Sequence, residues 1–403
     1  MVSRFFLILF LVHSAMSVAA AAEPKIVAGN WKAQLETPGG PISFDLKMVE
    51  EGDEWTATIM NPSEPLEIPT VKVSGKNLRL NFDHYDSEIA AELNDGHLVG
   101  RWTKQRGGSV AELKFTAMLG EPTAASASEF QPFVGRWSVA FSESDDESIG
   151  QFSVNKSGSP WGTFLTTTGD YRFLAVQSIA PKEARLSCFD GSHAFLFALR
   201  KTGANTMQGD FWSGGSWHET FTAERNEKAR LPDAFQQTTV LRDVDLKELR
   251  FPNLEGKKTR LLDEKFAAPC RIIQIFGSWC PNCHDAARYL KELKMHYGDD
   301  VSILGLAFEH TGDFDRDVAQ VKRYLQRHDA PYKVLLAGTS DKAKATEQIK
   351  FLDRVRSYPT TIFLNEQGEI QATYTGFSGP ATGEAHETLK RQFRQTIDRV
   401  LQR

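Results

Sequence analysis

The feature that most constrains this chain is a pair of cysteines placed directly after an apolar segment. Residues 272–276 have the composition of a buried strand that ends at Gly277, and Cys280 and Cys283 follow where a helix should begin. At a helix N-terminus, unpaired backbone N–H groups and the helix dipole favour a thiolate over a thiol. Cys283 lies one turn further along the same helix. We therefore predict a redox dithiol in which Cys280 attacks a disulfide and Cys283 resolves the mixed disulfide.

The length and composition are those of a globular protein with two or three domains. The chain has 403 residues, 41% of them hydrophobic and 25% charged, and a formal net charge of −5. It contains no long block of Lys or Arg, so neither nucleic acid nor an anionic membrane surface is expected as its main partner.

The first 22 residues are predicted to be a signal peptide. Arg4 precedes an apolar run at residues 5–12, and alanines at positions 19–22 offer a cleavage site. The run is shorter than the roughly 20 residues that span a membrane, so we expect cleavage and a periplasmic protein, with an uncleaved membrane anchor as the alternative. That compartment is oxidising, so a reduced dithiol there requires an electron donor, which we expect to be a membrane protein.

Residues 23–228 are predicted to form β-sheet, because short alternating runs are broken by Gly, Pro, Asn and Asp. The segment also repeats itself at one offset of 106 residues, since Trp31 recurs as Trp137 and Phe115 as Phe221. We predict two copies of a small antiparallel barrel or sandwich. Each copy opens on Gly-x-Trp, which faintly resembles lipocalin-like barrels.

The predicted boundaries place the copies at 23–120 and 130–228, with linkers at 121–129 and 229–243. Four tryptophans are expected to fill the two cores, with a ligand cavity lined by aromatics as the alternative; they are Trp31, Trp55, Trp137 and Trp161. Four histidines show no metal-ligand spacing and are expected to be surface or hydrogen-bonded groups; they are His84, His97, His193 and His218.

Residues 244–403 alternate strands with helices, which predicts a mainly parallel central sheet. Continuous apolar runs predict buried strands, and apolar residues at helical spacing predict helices. The strands are expected at 271–276, 301–308 and 332–336, and the helices at 283–297, 317–327, 342–352 and 384–401.

Two separated motifs in this part of the chain resemble the TlpA-like branch of the thioredoxin superfamily. The first is Trp279 followed by the two cysteines, which gives W-C-x-x-C, with Leu254-Glu255-Gly256-Lys257 ahead of the strand. The second is Tyr358-Pro359-Thr360 in the closing strand. The resemblance implies an α/β thioredoxin fold in the C-terminal part, preceded in this chain by two all-β domains.

The same resemblance implies roles for three further residues. Pro359 would form a cis peptide bond and face the dithiol, where the neighbouring backbone pairs with a substrate strand. Glu309 would be a carboxyl group of raised pKa that shuttles the proton of Cys283. Trp279 would pack beside the dithiol. Neither a metal nor a cofactor is expected.

Other interpretations of the cysteines stay open on the sequence alone. The run CPNCH, which ends at His284, also has the pattern of haem attachment. The pair is alternatively a structural disulfide, or part of a peroxidase, although Gly-Ser-Trp stands where a peroxidase has Pro and Thr ahead of its cysteine. Cys188 and Cys270 are either free buried thiols or a bridge between domains.

Together these observations predict an exported thiol-disulfide oxidoreductase that reduces disulfides in other exported proteins. An oxidase or an isomerase would carry the same motif and differ in reduction potential. The β modules are expected to recruit or position the substrate. In the alternative interpretation they carry the main function as a binding protein.

Overall fold

The computed structural model describes residues 25–61, 63–106, 108–122, 125–241 and 244–403. The predicted signal peptide, residues 1–22, lies outside these residues. In the described part of the chain no helix is long and apolar enough to cross a membrane. The chain forms two β units followed by a unit that combines a sheet with helices.

The first unit contains nine strands: β1 Gly29–Thr37, β2 Gly40–Glu51, β3 Glu54–Met60, β4 Pro65–Glu67, β5 Thr70–Ser74, β6 Asn77–Phe82, β7 Ser87–Asn94, β8 His97–Arg106 and β9 Ser109–Leu119. They form one antiparallel sheet in the order β4-β3-β2-β1-β9-β8-β7-β6-β5. The sheet stays open between its edge strands β4 and β5. Pro65 begins β4 and Pro69 lies directly before β5, and neither residue has an N–H group for a ladder hydrogen bond. The first copy is therefore an open sheet, where a closed barrel or a sandwich was expected.

The second unit begins with the short helix α1 (Ala127–Phe130), which spans the end of the predicted linker and the first residue of the predicted second copy. Eight strands follow: β10 Gly135–Phe141, β11 Ser148–Val154, β12 Pro160–Leu165, β13 Leu174–Ala180, β14 Glu183–Phe189, β15 Ala194–Lys201, β16 Thr206–Ser213 and β17 Trp217–Arg225. They follow one another in chain order and close into an antiparallel barrel through the pairing of β10 with β17.

The first strands of the two β units are anchored in the same way, at positions 106 residues apart. The indole N–H of Trp31 donates to the carbonyl of Val27 at 3.2 Å, and that of Trp137 donates to the carbonyl of Phe133 at 2.9 Å. The first and last strands of each unit also pair in the same register. Each tryptophan thus fixes the chain that leads into its unit.

The two β units share part of one core. The ring of Phe189 in β14 lies 4.9 Å from that of Phe44, 5.7 Å from that of Phe82 and 5.8 Å from that of Trp102, all in the first unit. Phe189 is fully buried. The first sheet therefore completes its core with a side chain of the barrel, and this contact holds the two units together.

The third unit contains seven strands and four helices: β18 Arg250–Pro252, β19 Lys258–Arg260, β20 Cys270–Phe276, β21 Val301–Glu309, β22 Lys333–Thr339, β23 Thr360–Asn365, β24 Ile370–Thr375, α2 Pro281–Tyr297, α3 Phe314–His328, α4 Lys342–Ile349 and α5 Glu384–Val400. Strands β18 and β19 form a hairpin, and the others form a sheet in the order β22-β21-β20-β23-β24. Every predicted strand and helix is present within a few residues of its expected bounds.

The sheet of the third unit is mixed, so the prediction of a mainly parallel sheet is only half right. Strands β20, β21 and β22 are parallel, whereas β23 runs antiparallel to both β20 and β24. A tight turn over residues 365–368 joins β23 to β24, with the N–H of Gly368 donating to the carbonyl of Asn365 at 3.0 Å. A connection this short permits only antiparallel pairing.

The predicted core tryptophans divide into two groups. Trp31 and Trp137 are fully buried, as expected, whereas Trp55 and Trp161 are only half-buried. Trp55 lies on the same face of β3 as the buried Ala57 and Ile59 and packs against the edge of the first core, whereas the ring of Trp161 packs on that of Phe173 at 5.0 Å. Both contribute less buried area than the sequence pattern indicates.

The histidine prediction holds for three residues and is wrong for His84. His97 is exposed, and His193 and His218 contact the carboxylates of Asp190 and Asp210. His84 is buried, its Nδ1 atom has no hydrogen-bond partner, and burial lowers its pKa to about 3. It packs against the third unit, 5.1 Å from the ring of His284. Nothing close to it in sequence indicates that contact.

Replacing Trp137 with alanine tests the core of the barrel. The side chain is fully buried, so we expect its loss to lower the free energy of unfolding by about 3–5 kcal/mol. Trp217→Ala, at a site 48% exposed in the same barrel, is the matched control and should change it by about 0.5 kcal/mol or less. Urea unfolding followed by circular dichroism measures both. Equal effects of the two substitutions would contradict the assignment of Trp137 to the core.

Candidate active site

The two cysteines lie at the N-terminus of α2, directly after the central strand β20. Cys280 is the N-cap residue of the helix and Pro281 is its first residue. Proline fits there because the first N–H groups of a helix have no partner within the helix. The N–H of Cys283 donates to the carbonyl of Cys280 at 2.9 Å. Cys280 is 7% exposed and Cys283 is fully buried, so any reagent from solvent meets Cys280 first.

Tyr358 and Pro359 lie next to the first cysteine. The peptide bond between them is cis, and the Cys280 thiol donates to the carbonyl of Tyr358 at 3.3 Å. The Pro359 carbonyl accepts from the N–H of Gly376 at 2.9 Å. The structure thus brings the two sequence motifs together, although 78 residues of chain separate Cys280 from Tyr358.

Glu309 lies at the end of β21, behind the dithiol. Its carboxylate accepts two hydrogen bonds from Ser278, one from the N–H at 2.8 Å and one from the hydroxyl at 2.6 Å. Burial raises its pKa to about 8, against the effect of these two bonds. Burial also raises the pKa of the Cys283 thiol well above its ordinary value, and the charges of Cys280 and Glu309 add to that rise. Glu309 therefore carries a proton at neutral pH and lies near the second thiol.

Trp279 packs beside the dithiol, between two loops. Its indole N–H donates to the carbonyl of Phe308 at 2.9 Å, and its ring stacks on His310 at 4.5 Å and meets Tyr358 edge-on at 5.5 Å. Gly277 makes this position possible, because a Cβ atom there would lie 2.2 Å from the indole nitrogen. The five residues singled out in the sequence are thus grouped in one site: Trp279, Cys280, Cys283, Glu309 and Pro359.

His284 is not placed as a haem ligand would be. It is buried, its Nδ1 atom lies 2.5 Å from Nε2 of His328, and its Nε2 atom lies 2.8 Å from the carbonyl of Ser278. Both ring nitrogens have protein partners. Axial ligation of an iron requires a free ring nitrogen, so this geometry does not favour the haem interpretation.

The remaining cysteines are free thiols in separate cores. Cys188 lies in the barrel and Cys270 at the start of β20, and the structure has no bridge between them. Burial raises the pKa of Cys270 to about 12 and that of Cys188 well above its ordinary value. Neither thiol is suited to act as a nucleophile.

Sequence reasoning missed the part of the barrel that reaches this site. The segment 166–173, which joins β12 to β13 and is called here the β12–β13 loop, lies against the third unit. Its Arg172 is buried, pairs with Asp285 at 2.5 Å and binds both carboxylate oxygens of Glu64 at 2.8 Å. Asp285 stands two residues after Cys283 in α2. No local pattern reveals this network, because its members come from all three units.

Replacing Glu309 with glutamine tests the protonation of this buried carboxyl. Its pKa is about 4.5 in an unfolded chain and about 8 in the folded protein, so between these values only the folded state keeps the proton. The free energy of unfolding should therefore fall as the pH rises through this window, by up to about 1.4 kcal/mol per pH unit from this group. Glu309→Gln removes that dependence, which urea unfolding at a series of pH values would measure.

The exposed Glu347 in α4 supplies the control for this measurement. Glu347→Gln should keep the pH dependence of the unmodified chain. If Glu309→Gln and Glu347→Gln gave parallel curves between about pH 5 and pH 8, Glu309 would not hold its proton in the folded state.

Comparison with known proteins gives partial matches. No family model matches the chain. Thioredoxin-like protein YneN of Bacillus subtilis is 25% identical over 123 residues, and thiol-disulfide oxidoreductase ResA of Halalkalibacterium halodurans is 24% identical over 168 residues. These matches cover 30% and 40% of this chain, 65% of YneN and 78% of ResA. The solved structure of the pneumococcal exposed lipoprotein thioredoxin from Streptococcus pneumoniae is 22% identical and covers 38% of this chain and 98% of its own, with a TM-score of 0.27.

The similarity to these proteins covers only part of this chain. The chain spans slightly less than two thirds of YneN, and the matched segments leave more than half of this chain without a counterpart. ResA is named a thiol-disulfide oxidoreductase and YneN a thioredoxin-like protein, and each name describes that protein. Over less than half of its length, this chain is therefore similar to a thioredoxin-like protein and to a thiol-disulfide oxidoreductase.

Proposed function

We propose that the protein is an extracytoplasmic thiol-disulfide oxidoreductase that reduces disulfides in other exported proteins. The observation that carries the proposal is the position of the two thiols. Cys280 is partly exposed at the N-terminus of α2 beside the carbonyl that precedes the cis Pro359, and Cys283 is buried behind it. Cys280 would attack the substrate disulfide, and the buried Cys283 would then resolve the mixed disulfide.

The first step is attack on the substrate disulfide. The Cys280 thiolate forms a bond to one substrate sulfur, the substrate S–S bond breaks, and the other substrate sulfur leaves as a thiolate. Cys280 is the N-cap residue of α2, so the attacking sulfur lies at the positive end of the helix dipole. The Tyr358 carbonyl, which accepts from Cys280 in the free protein, lies where a substrate backbone N–H would bind.

The second step releases the substrate and requires Cys283 to lose its proton. We assign the acceptor role to the ionised form of Glu309, which is the minor form at neutral pH because the pKa is raised to about 8, and which is therefore basic enough to take a proton from a thiol. The Cys283 thiolate then attacks the Cys280 sulfur, and the second substrate thiolate leaves. Two electrons have passed to the substrate, and the protein holds a Cys280–Cys283 disulfide. Trp279 is assigned the role of holding the loop ahead of Cys280 in place.

Continued turnover requires a reductant, and we propose a membrane protein as the donor because the predicted signal peptide directs the chain to an oxidising compartment. The two β units, proposed to be copies of one module, would position the substrate. The direction of the reaction depends on the reduction potential. A potential well below about −180 mV supports a reductase, and one near about −120 mV would instead indicate an oxidant.

Replacing each active-site cysteine with serine tests the mechanism. Cys280→Ser should abolish dithiol-dependent reduction of insulin, because the attacking thiol is lost. Cys283→Ser should also stop turnover but accumulate a mixed disulfide at Cys280, which mass spectrometry under non-reducing conditions detects. The buried Cys188 of the barrel provides a control, since Cys188→Ala should keep turnover. Full activity of Cys280→Ser would refute the proposed function.

A further inference from the structure

The β12–β13 loop of the barrel lies against the segments that surround Cys280. Gly169 in this loop approaches the side chain of Asn282, which stands between the two cysteines, so closely that a Cβ atom on Gly169 would lie 1.9 Å from Nδ2 of Asn282. Gly169 is itself buried. The loop therefore covers one side of the dithiol, and nothing larger than glycine fits at that position without displacing a neighbour.

The same loop also contacts the two other segments that surround the site. The carbonyl of Thr168 accepts from the hydroxyl of Ser357, two residues before Pro359, at 2.9 Å. The carboxylate of Asp170 accepts from the N–H of Gly379 at 2.6 Å. At Gly376, whose N–H binds the Pro359 carbonyl, a Cβ atom would lie 2.9 Å from the Thr167 carbonyl. The loop thus contacts Asn282 between the two cysteines, Ser357 ahead of the cis proline, and the segment after β24.

Buried charges hold the loop in this position. Arg172, at its C-terminal end, pairs with Asp285 in the first turns of α2 and with Glu64 in the first unit. The exposed fractions of the Arg172 and Asp285 side chains are 6% and 1%. Near the other end, Arg356 of the third unit donates to both Asp146 and Thr167. An ion pair at one end and a hydrogen bond at the other therefore hold the loop against the third unit.

We propose that the β12–β13 loop is a specificity element of the active site. It leaves Cys280 open to small disulfides and to disulfides on flexible chain segments, and it slows the reaction with disulfides in the surfaces of folded proteins. The reason is steric, because Cys280 is only 7% exposed and the loop lies against Ser357, Asn282 and Gly379, in the segments around the dithiol where a broad surface would have to dock. This inference rests on the proposed function and narrows its substrate class.

The first test measures access to Cys280 without any turnover. The reduced full-length protein is alkylated with N-ethylmaleimide or with a maleimide that carries a polyethylene glycol chain, and mass spectrometry follows modification of Cys280. The other three cysteines are at most 2% exposed and should react slowly. Gly169→Phe forces the loop away from Asn282, and Asp170→Ala removes its bond to Gly379.

We expect both substitutions to raise the ratio of two alkylation rates of Cys280, that with the polyethylene glycol maleimide over that with N-ethylmaleimide, about tenfold or more. The reason is that conformations in which the loop has moved away from the dithiol are then populated more often. Gly108→Phe is the matched control, since a Cβ atom there meets nothing within 4 Å, and it should leave the ratio unchanged. Circular dichroism verifies that each variant is folded. An unchanged ratio in both folded loop variants would overturn the inference.

The second test uses turnover with the same variants. The reduction of insulin should rise about tenfold in kcat/KM relative to the reduction of Ellman's disulfide. Equal gains with both substrates would overturn the inference, because the loop would then be a general cover. If the alkylation ratio rises but no variant reduces either disulfide, the steric role of the loop stands and the proposed function fails.

Discussion

Arg172 is a buried guanidinium on which the arrangement of the three units depends. It joins the barrel to Asp285 of α2 and to Glu64 of the first sheet. Removing one partner of such a buried pair typically costs about 3–5 kcal/mol, because the other charge is left without compensation. Asp285 lies in the same helix that begins at the dithiol, so the interaction that holds the units together also fixes the surroundings of Cys280.

The chemistry of the site depends on how far Cys280, Cys283 and Glu309 are each buried. Cys280 is 7% exposed, Cys283 behind it is fully buried, and Glu309 is 2% exposed and mostly protonated at neutral pH. The hydrogen bonds from Ser278 orient the Glu309 carboxylate. Burial raises the pKa of the second thiol and of the carboxyl in the same direction, because a low dielectric environment disfavours the charged form of each.

Much of the third unit could be predicted because its signals are local. The apolar run of β20, the W-C-x-x-C motif and the helical spacing that follows each lie within a few turns of chain, and the observed elements match them. The mixed direction of the sheet was missed because apolar runs do not show strand direction, and the short turn after β23 fixes only the direction of β24 relative to β23. The burial of His84 was missed for another reason, since the surface that covers it belongs to the third unit.

The sequence by itself determined the dithiol and the strand and helix that carry it, because these rest on periodicity and on neighbouring residues, and its resemblance to TlpA-like proteins indicated the second motif at Pro359. Only the tertiary structure decided that one β unit stays open while the other closes, and that the closed barrel places Gly169 against Asn282. The contact between Arg172 and Asp285 joins residues 113 positions apart. Such a pair forms only when separate cores pack together, and no local propensity encodes the orientation in which they do so.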